Sequence, residues 1–147
     1  MRVQDILRAK SPKLICIRHD TSIAEASRTL AREQVGMLLV LDDQHELIGL
    51  LSERDVAHFL GKQEASAVKA PVSAAMANAW ALVTPEDSVI HVMQVMTEDR
   101  LRHMPVMSRG QLVGVISIGD ILKSRLAEKD EETAVLRDIA KFSLAAA

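Results

Sequence analysis

Hydrophobic residues in the first half of the chain form short runs of strand length, separated by a stretch with helical spacing. The runs cover residues 14–17, 37–41 and 47–51, and a polar turn at 42–46 separates the last two. After the first run, Ser22 stands three residues before a glutamate, which is the capping-box pattern, and apolar residues then recur at helical spacing. The pattern predicts the order strand, helix, strand, turn, strand.

The second half repeats this order of elements. Strand-length apolar runs are expected at residues 80–83, 103–107 and 112–117, and a helix at 88–98. A short polar turn around Gly110 separates the last two runs. The same elements in the same order indicate an internal duplication.

A seven-residue motif marks this duplication most clearly. Residues 49–55 read GLLSERD and residues 114–120 read GVISIGD, so each has a glycine, two branched apolar residues, a serine and a final aspartate. Upstream positions correspond at a separation of 66 residues and the motifs at 65, which places one inserted residue in the first polar turn. Further helices are expected to begin near Ser52 and Ser117. Copies of about 65 residues are too long for solenoid units, so we expect two small subdomains.

The order of elements predicts an α+β fold. Strand-helix-strand implies a parallel, right-handed crossover, and the short turn after it implies an antiparallel hairpin. Each copy would therefore be a small three-stranded mixed sheet with helices on one face, a core too small to be comfortable alone. Packing the two βαββα repeats sheet to sheet would bury both apolar faces. This predicts a pseudo-two-fold module with clefts between its halves.

The predicted boundaries place the first repeat at residues 1–62, a small and polar linker at 63–71, and the second repeat at 72–127. Residues 128–147 form a tail with a charged stretch followed by apolar positions. We expect this tail to be a helix that docks on its own module. The alternative is a contact between two copies of the chain.

Composition argues against nucleic acid and membrane partners. The net charge is −2, the basic residues are dispersed, and the aromatic residues are only Phe59, Trp80 and Phe142, too few for base-stacking platforms. No apolar stretch approaches the roughly 18 residues that span a bilayer, so we expect a cytoplasmic protein. The single Cys16 lies in an apolar run and is expected to be buried in a strand.

The repeated serine and aspartate suggest a binding site. Ser52 and Ser117 would stand at helix starts, where unpaired N–H groups and the helix dipole attract a phosphate. Asp55 and Asp120 would accept hydrogen bonds from neutral hydroxyls such as a ribose diol. The alternative is that each pair is simply a capping box. Recurrence after a glycine and two branched apolar residues favours the site, because capping does not require the glycine.

The chain resembles a tandem pair of cystathionine β-synthase (CBS) domains, called a Bateman module, from Val3 to about Leu126. The resemblance is carried by the two seven-residue motifs and by residues 83–89 and 102–106. It implies two clefts per module and binding of AMP, ADP or ATP, or alternatively NAD(H) or S-adenosylmethionine. It also implies association into a homodimer, with no cofactor required.

The resemblance implies ligand-binding positions in both copies. In the second copy they are Thr84, Arg102, His103, Met104, Pro105, Ser117, Gly119 and Asp120. In the first copy they are Ile17, Arg18, Met37, Ser52, Arg54 and Asp55.

The two copies differ at several of these positions. Arg18 stands where the second copy has its threonine, and Gly36 and Met37 stand where it has the arginine–histidine pair. The two clefts are therefore expected to be unequal. Arg54 is expected to supply the cation that the first copy otherwise lacks, since guanidinium groups bind phosphate bidentately. The alternative for Arg54 is an exposed helix charge.

His103 and Trp80 each have a functional and a structural interpretation. His103 is expected on the phosphate side of a cleft, with a structural or surface role as its alternative. Trp80 is expected to pack in the core rather than to stack on adenine. The remaining histidines share no ligand spacing, so no metal site is expected.

The leading hypothesis is a regulatory nucleotide sensor that signals through an unidentified partner protein or through its dimer interface. The second hypothesis is a structural dimerisation module with vestigial clefts. An enzyme is not expected, because the chain has no nucleophile elbow, Walker loop or convincing metal cluster.

Overall fold

The computed structural model describes residues 1–10, 13–78 and 82–145. In chain order its elements are α1 (Val3–Ala9), β1 (Cys16–Arg18), α2 (Ile23–Glu33), β2 (Met37–Leu41), β3 (Leu47–Ser52), α3 (Glu53–Lys62), β4 (Ala77–Asn78), α4 (Val89–Glu98), β5 (His103–Ser108), β6 (Gln111–Ser117) and α5 (Ile118–Ala145). Two short 3₁₀ helices, Ala65–Lys69 and Val72–Ala74, lie between α3 and β4. The predicted α+β fold with two repeats is confirmed.

The first sheet has the order β1-β2-β3-β4, with β1 parallel to β2 and the other pairs antiparallel. Three of these strands were predicted; β4 was not, because two residues carry no periodic signal. The second sheet pairs β5 with β6, and Val83 adds a single parallel bridge to Val106. Of the rest of the strand predicted at 80–83, Leu82 is exposed and not in a strand, and residues 80 and 81, including Trp80, lie outside the described residues.

Alternation along the strands gives each sheet two buried faces. In β2, Leu38 and Val40 point into the core beneath the helices, whereas Leu39 points the other way yet is only 1% exposed. In β6, Val115 likewise belongs to neither helix-side core and is 6% exposed. Leu39 and Val115 line a common cavity, so these faces meet between the two halves. The expected sheet-to-sheet packing explains their burial.

Each half has its own aliphatic core beneath its helices. In the first half the buried core residues are Ile23, Ala26, Leu30, Leu38, Val40, Leu51, Val56 and Val72. In the second half they are Val3, Ile6, Val83, Val89, Val92, Met96, Met104, Val106, Ile116 and Ile121. Two lead segments contribute to these cores: residues 1–10, at the start of the chain, pack in the second core, and residues 72–78, after the first repeat, pack in the first core.

These lead segments are exchanged between the halves. Val3, at the start of the chain, is fully buried in the second core, and its N–H donates to the Asp87 carbonyl at 3.0 Å. Val72, which follows the first repeat, is fully buried in the first core, and its N–H donates to the Thr21 carbonyl at 2.8 Å. Val3 falls in the stretch predicted as the first repeat and Val72 in the stretch predicted as the second, yet each packs in the core of the other repeat.

The exchange explains the motif glycines. A Cβ on Gly114 would lie 2.8 Å from the Leu7 side chain of the first lead segment. A Cβ on Gly49 would lie 2.6 Å from the Met76 sulfur and 2.8 Å from the Ala77 carbonyl oxygen of the second. Each glycine therefore makes room for a lead segment crossing its strand.

Two expectations about surface residues are wrong. Cys16 is exposed, because it lies on an edge strand and points away from the helix-side core that its neighbour Ile17 contacts. The tail does not dock on its own module. It continues α5, and Leu136 and Leu144 are 65% and 79% exposed.

Candidate functional site

The first motif forms a helix start at the end of β3. Ser52 caps α3, and its Oγ accepts a hydrogen bond from the Asp55 N–H at 3.1 Å. The Asp55 carboxylate accepts from the Ser52 N–H and from its hydroxyl, both at 2.8 Å. Ser52 and Asp55 therefore form a capping box, which was the alternative to a binding site. It uses one oxygen of the carboxylate and leaves the other available for a hydroxyl.

The second motif has the same geometry at the end of β6. The Ser117 Oγ accepts from the Asp120 N–H at 3.1 Å, and the Asp120 carboxylate accepts from the Ser117 N–H and hydroxyl at 2.9 and 2.7 Å. Equivalent backbone positions thus carry nearly identical local hydrogen bonding in both copies. Differences between the two sites must come from other residues.

A cavity of about 510 Å³, cleft A, lies between the two halves at the first helix start. Its lining residues are Met37, Leu50, Ser52, Arg54, Asp55, His58, Ala77, Asn78, Asp99, Arg100, Leu101, Arg102, His103 and Pro105. The helix start comes from the first repeat, whereas Arg102, His103 and Pro105 come from the second.

A smaller cavity of about 190 Å³, cleft B, lies at the second helix start. Its lining residues are Lys10, Lys13, Leu14, Ile15, Val35, Gly36, Met37, Leu39, His103, Val115 and Ser117. Here the serine comes from the second repeat, and the facing strand, with Gly36, Met37 and Leu39, comes from the first. Clefts A and B are therefore related by the repeat.

Strand register explains why two residues line both clefts. Met37 pairs with Ser52 across β2 and β3, and His103 pairs with Ser117 across β5 and β6. Each lies beside the serine of its own repeat and also faces the other repeat. The imidazole of His103 is half-buried between the clefts. Burial lowers its pKa, and the positive charges of Lys10 and Arg102 lower it further, against the opposing charges of Asp120 and Asp55.

Cleft A contains three arginines. Arg54 lies in the first turn of α3, and Arg100 and Arg102 lie between α4 and β5. All three are exposed, and within residues 1–10, 13–78 and 82–145 none of them forms an ion pair. They can therefore receive an anion without breaking an existing contact. The facing carboxylates are Asp55 and Asp99.

At cleft B the lining residue Lys10 forms an ion pair with Asp120, which itself does not line the cavity in the described part of the chain. The Lys10 Nζ donates to the Asp120 carboxylate at 2.7 Å and to the Val115 carbonyl at 3.2 Å. Partial burial alone would raise the pKa of Asp120, but the hydrogen bonds from Lys10 and Ser117 outweigh it and lower that pKa. The carboxylate is thus held ionised, and its charge is balanced by Lys10.

The sequence analysis groups the binding residues by repeat, whereas each cleft of the structure is lined by residues of both repeats. Arg102 and His103 face the helix start of the first repeat, so Arg54 is not the only cation there. Packing of the two sheets against each other places the hairpin of each repeat across the other repeat's helix start, which sequence order does not reveal.

Two predicted residues lie outside both clefts. Arg18 pairs in register with Leu41, at the turn end of the sheet, and its guanidinium contacts Asp20 and Asp43 at 3.0 and 2.8 Å. Thr84, its counterpart, is exposed, and its N–H donates to the Asp87 carboxylate at 2.7 Å. The serines of the motifs lie at the opposite ends of these sheets.

Three further predicted residues also do not line either cleft in the described part of the chain. Ile17 packs against the first core, and Met104 is 1% exposed in the second core. Gly119 follows the Ser117 cap without lining either cavity in the described part of the chain. The expectation for Trp80 falls outside the described residues.

Sequence reasoning missed Lys10, His58, Asn78 and Arg100 as cleft residues. Lys10 and Asn78 belong to the exchanged lead segments, which share no visible motif. Arg100 had one signal, its position two residues before Arg102, and it adopts a left-handed backbone with φ of 54°.

No helix in the described ranges combines the length and apolarity needed to cross a bilayer. In the same part of the chain, no three His, Cys, Asp or Glu side chains come together as a metal site would require.

Comparison with known proteins identifies the repeat. The CBS domain model matches residues 3–62 and again residues 72–127. The chain is 32% identical over 139 residues to "CBS domain-containing protein CBSX3, mitochondrial" of Arabidopsis thaliana, a match that covers 88% of this chain and 67% of that protein. It is 27% identical over 125 residues to CBSCBSPB1 of the same organism, of which it spans only 23%.

Solved structures have the same fold. The CBS-domain containing protein ATU1752 from Agrobacterium tumefaciens superposes with a TM-score of 0.80 at 34% identity, over 84% of this chain and 92% of that one. PAE2072 from Pyrobaculum aerophilum, solved with AMP, has a TM-score of 0.72 at 24% identity, over 82% and 89% of the two chains. The CBS domain pair of MJ0100, in complex with 5-methylthioadenosine and S-adenosyl-L-methionine, also gives 0.72 at 24%, over 88% and 98%. Two matches to one family model and this shared fold show that the chain belongs to the CBS-domain family, as a tandem pair of CBS domains.

Proposed function

We propose that this chain is a non-catalytic regulatory module that binds an adenine nucleotide in cleft A and passes the binding event to a partner protein or to a second copy. The observation that carries the proposal is the convergence of a helix start, a carboxylate and three arginines, none of them ion-paired within the described residues, around one cavity. Each of these groups matches one part of a nucleotide.

The phosphate is assigned to the cationic side of cleft A. Arg54, Arg100 and Arg102 are guanidinium groups that can bind phosphate oxygens bidentately. The start of α3, capped by Ser52, adds unpaired N–H groups and the positive end of a helix dipole. His103 would gain a favourable contact with the phosphate on protonation.

The ribose is assigned to Asp55. One of its oxygens serves the helix cap, and the other can accept hydrogen bonds from a diol. The adenine would then contact the apolar lining that includes Met37, Leu50 and Pro105. A volume of about 510 Å³ is within the range of roughly 300–1,000 Å³ usual for small-molecule sites.

The ligands of related structures support the same chemical class. AMP in the Pyrobaculum aerophilum protein and S-adenosyl-L-methionine in the MJ0100 domain pair share an adenosyl group and differ in charge. The arginines of cleft A favour a phosphate over a sulfonium cation. We therefore expect AMP, ADP or ATP to bind more tightly than S-adenosylmethionine.

Calorimetric titration with AMP, ADP, ATP, NAD, NADH and S-adenosylmethionine tests the proposal. Asp55→Asn keeps an oxygen for the helix cap but removes the charge that favours the ribose diol. Arg102→Met removes a phosphate contact. Since a hydrogen bond to a charged group contributes about 1.5–3 kcal/mol, each variant should weaken nucleotide binding by roughly tenfold or more.

Arg18→Met is the matched control, because it removes an exposed arginine that lies outside both clefts. Its nucleotide affinity should equal that of the parent. Parental affinity in both Asp55→Asn and Arg102→Met, or absence of adenylate binding in the parent, would contradict the proposal.

A second candidate function is dimerisation through the exposed part of α5. Its apolar residues Val135, Leu136 and Ile139 are 57%, 65% and 58% exposed. Acidic residues at 130–132 precede this patch, Arg137 and Asp138 lie within it, and Lys141 follows it. A second copy of α5 in antiparallel orientation would cover the apolar patch and bring opposite charges together.

Light scattering with and without AMP separates the two candidates. A dimer that Leu136→Glu converts to monomer supports the α5 contact. A constant dimer without detectable nucleotide binding favours the scaffold, whereas nucleotide binding by the parent favours the sensor.

A further inference from the structure

Lys10 distinguishes cleft B from cleft A more sharply than any other residue. It ends the lead helix α1, and its ammonium group reaches the Asp120 carboxylate of the opposite repeat at 2.7 Å. The same ammonium group donates to the Val115 carbonyl at 3.2 Å, so two contacts hold it at the mouth of the helix start. Both are contacts between the first lead segment and the second repeat.

The carboxylate oxygen that Lys10 contacts is fully used. The same Asp120 oxygen also accepts hydrogen bonds from the Ser117 N–H and from the Ser117 hydroxyl. A ribose diol would have to use the other oxygen of Asp120, and it would meet a carboxylate whose charge Lys10 already balances, so its hydrogen bonds would be weaker than those to Asp55. The remaining cavity, about 190 Å³, is also below the usual range of roughly 300–1,000 Å³.

Cleft A lacks this arrangement. Asp55 has the same two contacts with its serine, and within the described residues no lysine or arginine pairs with it. The lead segments correspond at a separation of 69 residues, as Leu7 over Gly114 and Met76 over Gly49 show. At that separation, the position of Lys10 corresponds to an alanine in the sequence. The second lead segment therefore has no ammonium group to offer at this position.

We infer that Lys10 is a built-in occupant of cleft B, which neutralises the carboxylate that a ribose would use and leaves cleft A as the single adenylate site of the chain. This inference rests on the proposed function and adds its stoichiometry and the residue that determines it. Lys10 acts here as a specificity-determining residue, because it selects between two clefts with the same backbone.

Calorimetric titration of the full chain with AMP tests the inference. The parent should bind one AMP per chain. Lys10→Met keeps the apolar stem, removes the ammonium group and should raise the stoichiometry to two. Lys10→Gln provides a second variant if the methionine variant does not fold. Arg8→Met, which removes an exposed cation from the same lead helix, should keep one site.

A second variant assigns each site to its cleft. Asp55→Asn should weaken the single site of the parent by roughly tenfold or more. Combined with Lys10→Met, it should leave one site, namely cleft B, whose affinity Asp55→Asn does not change. A thermal melt of each variant confirms that it is folded before titration.

Three results would overturn the inference. Two AMP per parent chain would show that Lys10 does not block cleft B. A single site in both folded Lys10 variants would show that its removal does not open cleft B. Weaker binding in those variants would make Lys10 a ligand contact instead. In each of these cases adenylate still binds and the proposed function stands, whereas absence of binding in the parent and in Lys10→Met would defeat the proposed function itself.

Discussion

Clefts A and B have the same scaffold and different contents. At the helix starts, Ser52 with Asp55 and Ser117 with Asp120 make the same three hydrogen bonds within 0.1 Å of each other. Yet cleft A is larger and lined by arginines that form no ion pair within the described residues, whereas Lys10 in the smaller cleft B is paired with Asp120. A repeated motif therefore preserves a backbone arrangement, but it does not determine whether the site can bind.

The difference comes from residues that lie outside the repeated motif. The strand facing cleft A contributes Arg102 and His103, and the equivalent strand facing cleft B contributes Gly36 and Met37. The lead segments then add Asn78 to one cleft and Lys10 to the other. Duplication of a fold allows one copy of a site to be lost while the helix start that supports it remains.

The largest expected loss of stability comes from removing the packing of a lead segment. Ile6 is 6% exposed in the second core, so Ile6→Ala should lower the free energy of unfolding by about 2–5 kcal/mol. The space left by the shorter side chain would lie in the core of the second repeat, although Ile6 belongs to the first lead segment. Urea denaturation measures the loss, and hydrogen exchange should show it first in α1 and β6.

Arg8→Ala on the same short helix is the control for this prediction. Arg8 is exposed, so its removal should change stability by no more than about 0.5 kcal/mol. Equal losses for the two variants would mean that α1 does not pack as described.

The motif glycines should respond unequally to the same substitution. Gly49→Ala would press against the Ala77 backbone carbonyl as well as Met76, so it should cost about 1–3 kcal/mol. Gly114→Ala meets only the Leu7 side chain, which can rotate away, and should cost about 1 kcal/mol or less. Urea midpoints measured side by side decide the order. A larger loss for Gly114→Ala would reverse the comparison of the two lead segments.

The smallest effect concerns the ion pair of cleft B. Lys10 and Asp120 are 37% and 23% exposed, so Lys10→Met should cost about 0.2–1 kcal/mol at pH 7. The pKa of Asp120 is lowered in the folded state, so the pair's stabilisation is complete above its ordinary value of 3.8 and is lost as the pH falls through the folded value. Thermal melts from pH 7 to pH 3 should therefore fall less steeply in Lys10→Met than in the parent. Parallel curves would show that Lys10 contributes nothing to the Asp120 shift.

Prediction from sequence worked where the signal is local. The run at residues 37–41 is strand β2 with the same bounds, because a continuous apolar run of that length is typical of a buried strand. Ser22 caps α2 as the capping box indicated. The serines of both motifs also cap their helices, since the cap and its partner lie only three residues apart.

Prediction failed where the outcome depends on contacts distant in sequence. Cys16 was expected to be buried from its apolar neighbours, but edge position in the sheet decided its exposure. Arg18 was expected in a cleft by alignment, but its strand carries it to the turn end of the sheet, beside Asp43. The tail was expected to dock because it has apolar positions, but a continuous helix directs it away.

The sequence alone determined the duplication, the order of elements, the two capped helix starts and the family resemblance, because each of these depends on residue types at short, regular spacings. The tertiary structure decided which helix start faces which strand, and which lead segment crosses which repeat. Those choices join Lys10 to Asp120 across 110 residues of chain and bring Arg102 to the cleft of Asp55. Contacts over such separations are selected by the burial of two apolar sheet faces against each other, and no local pattern records the partner.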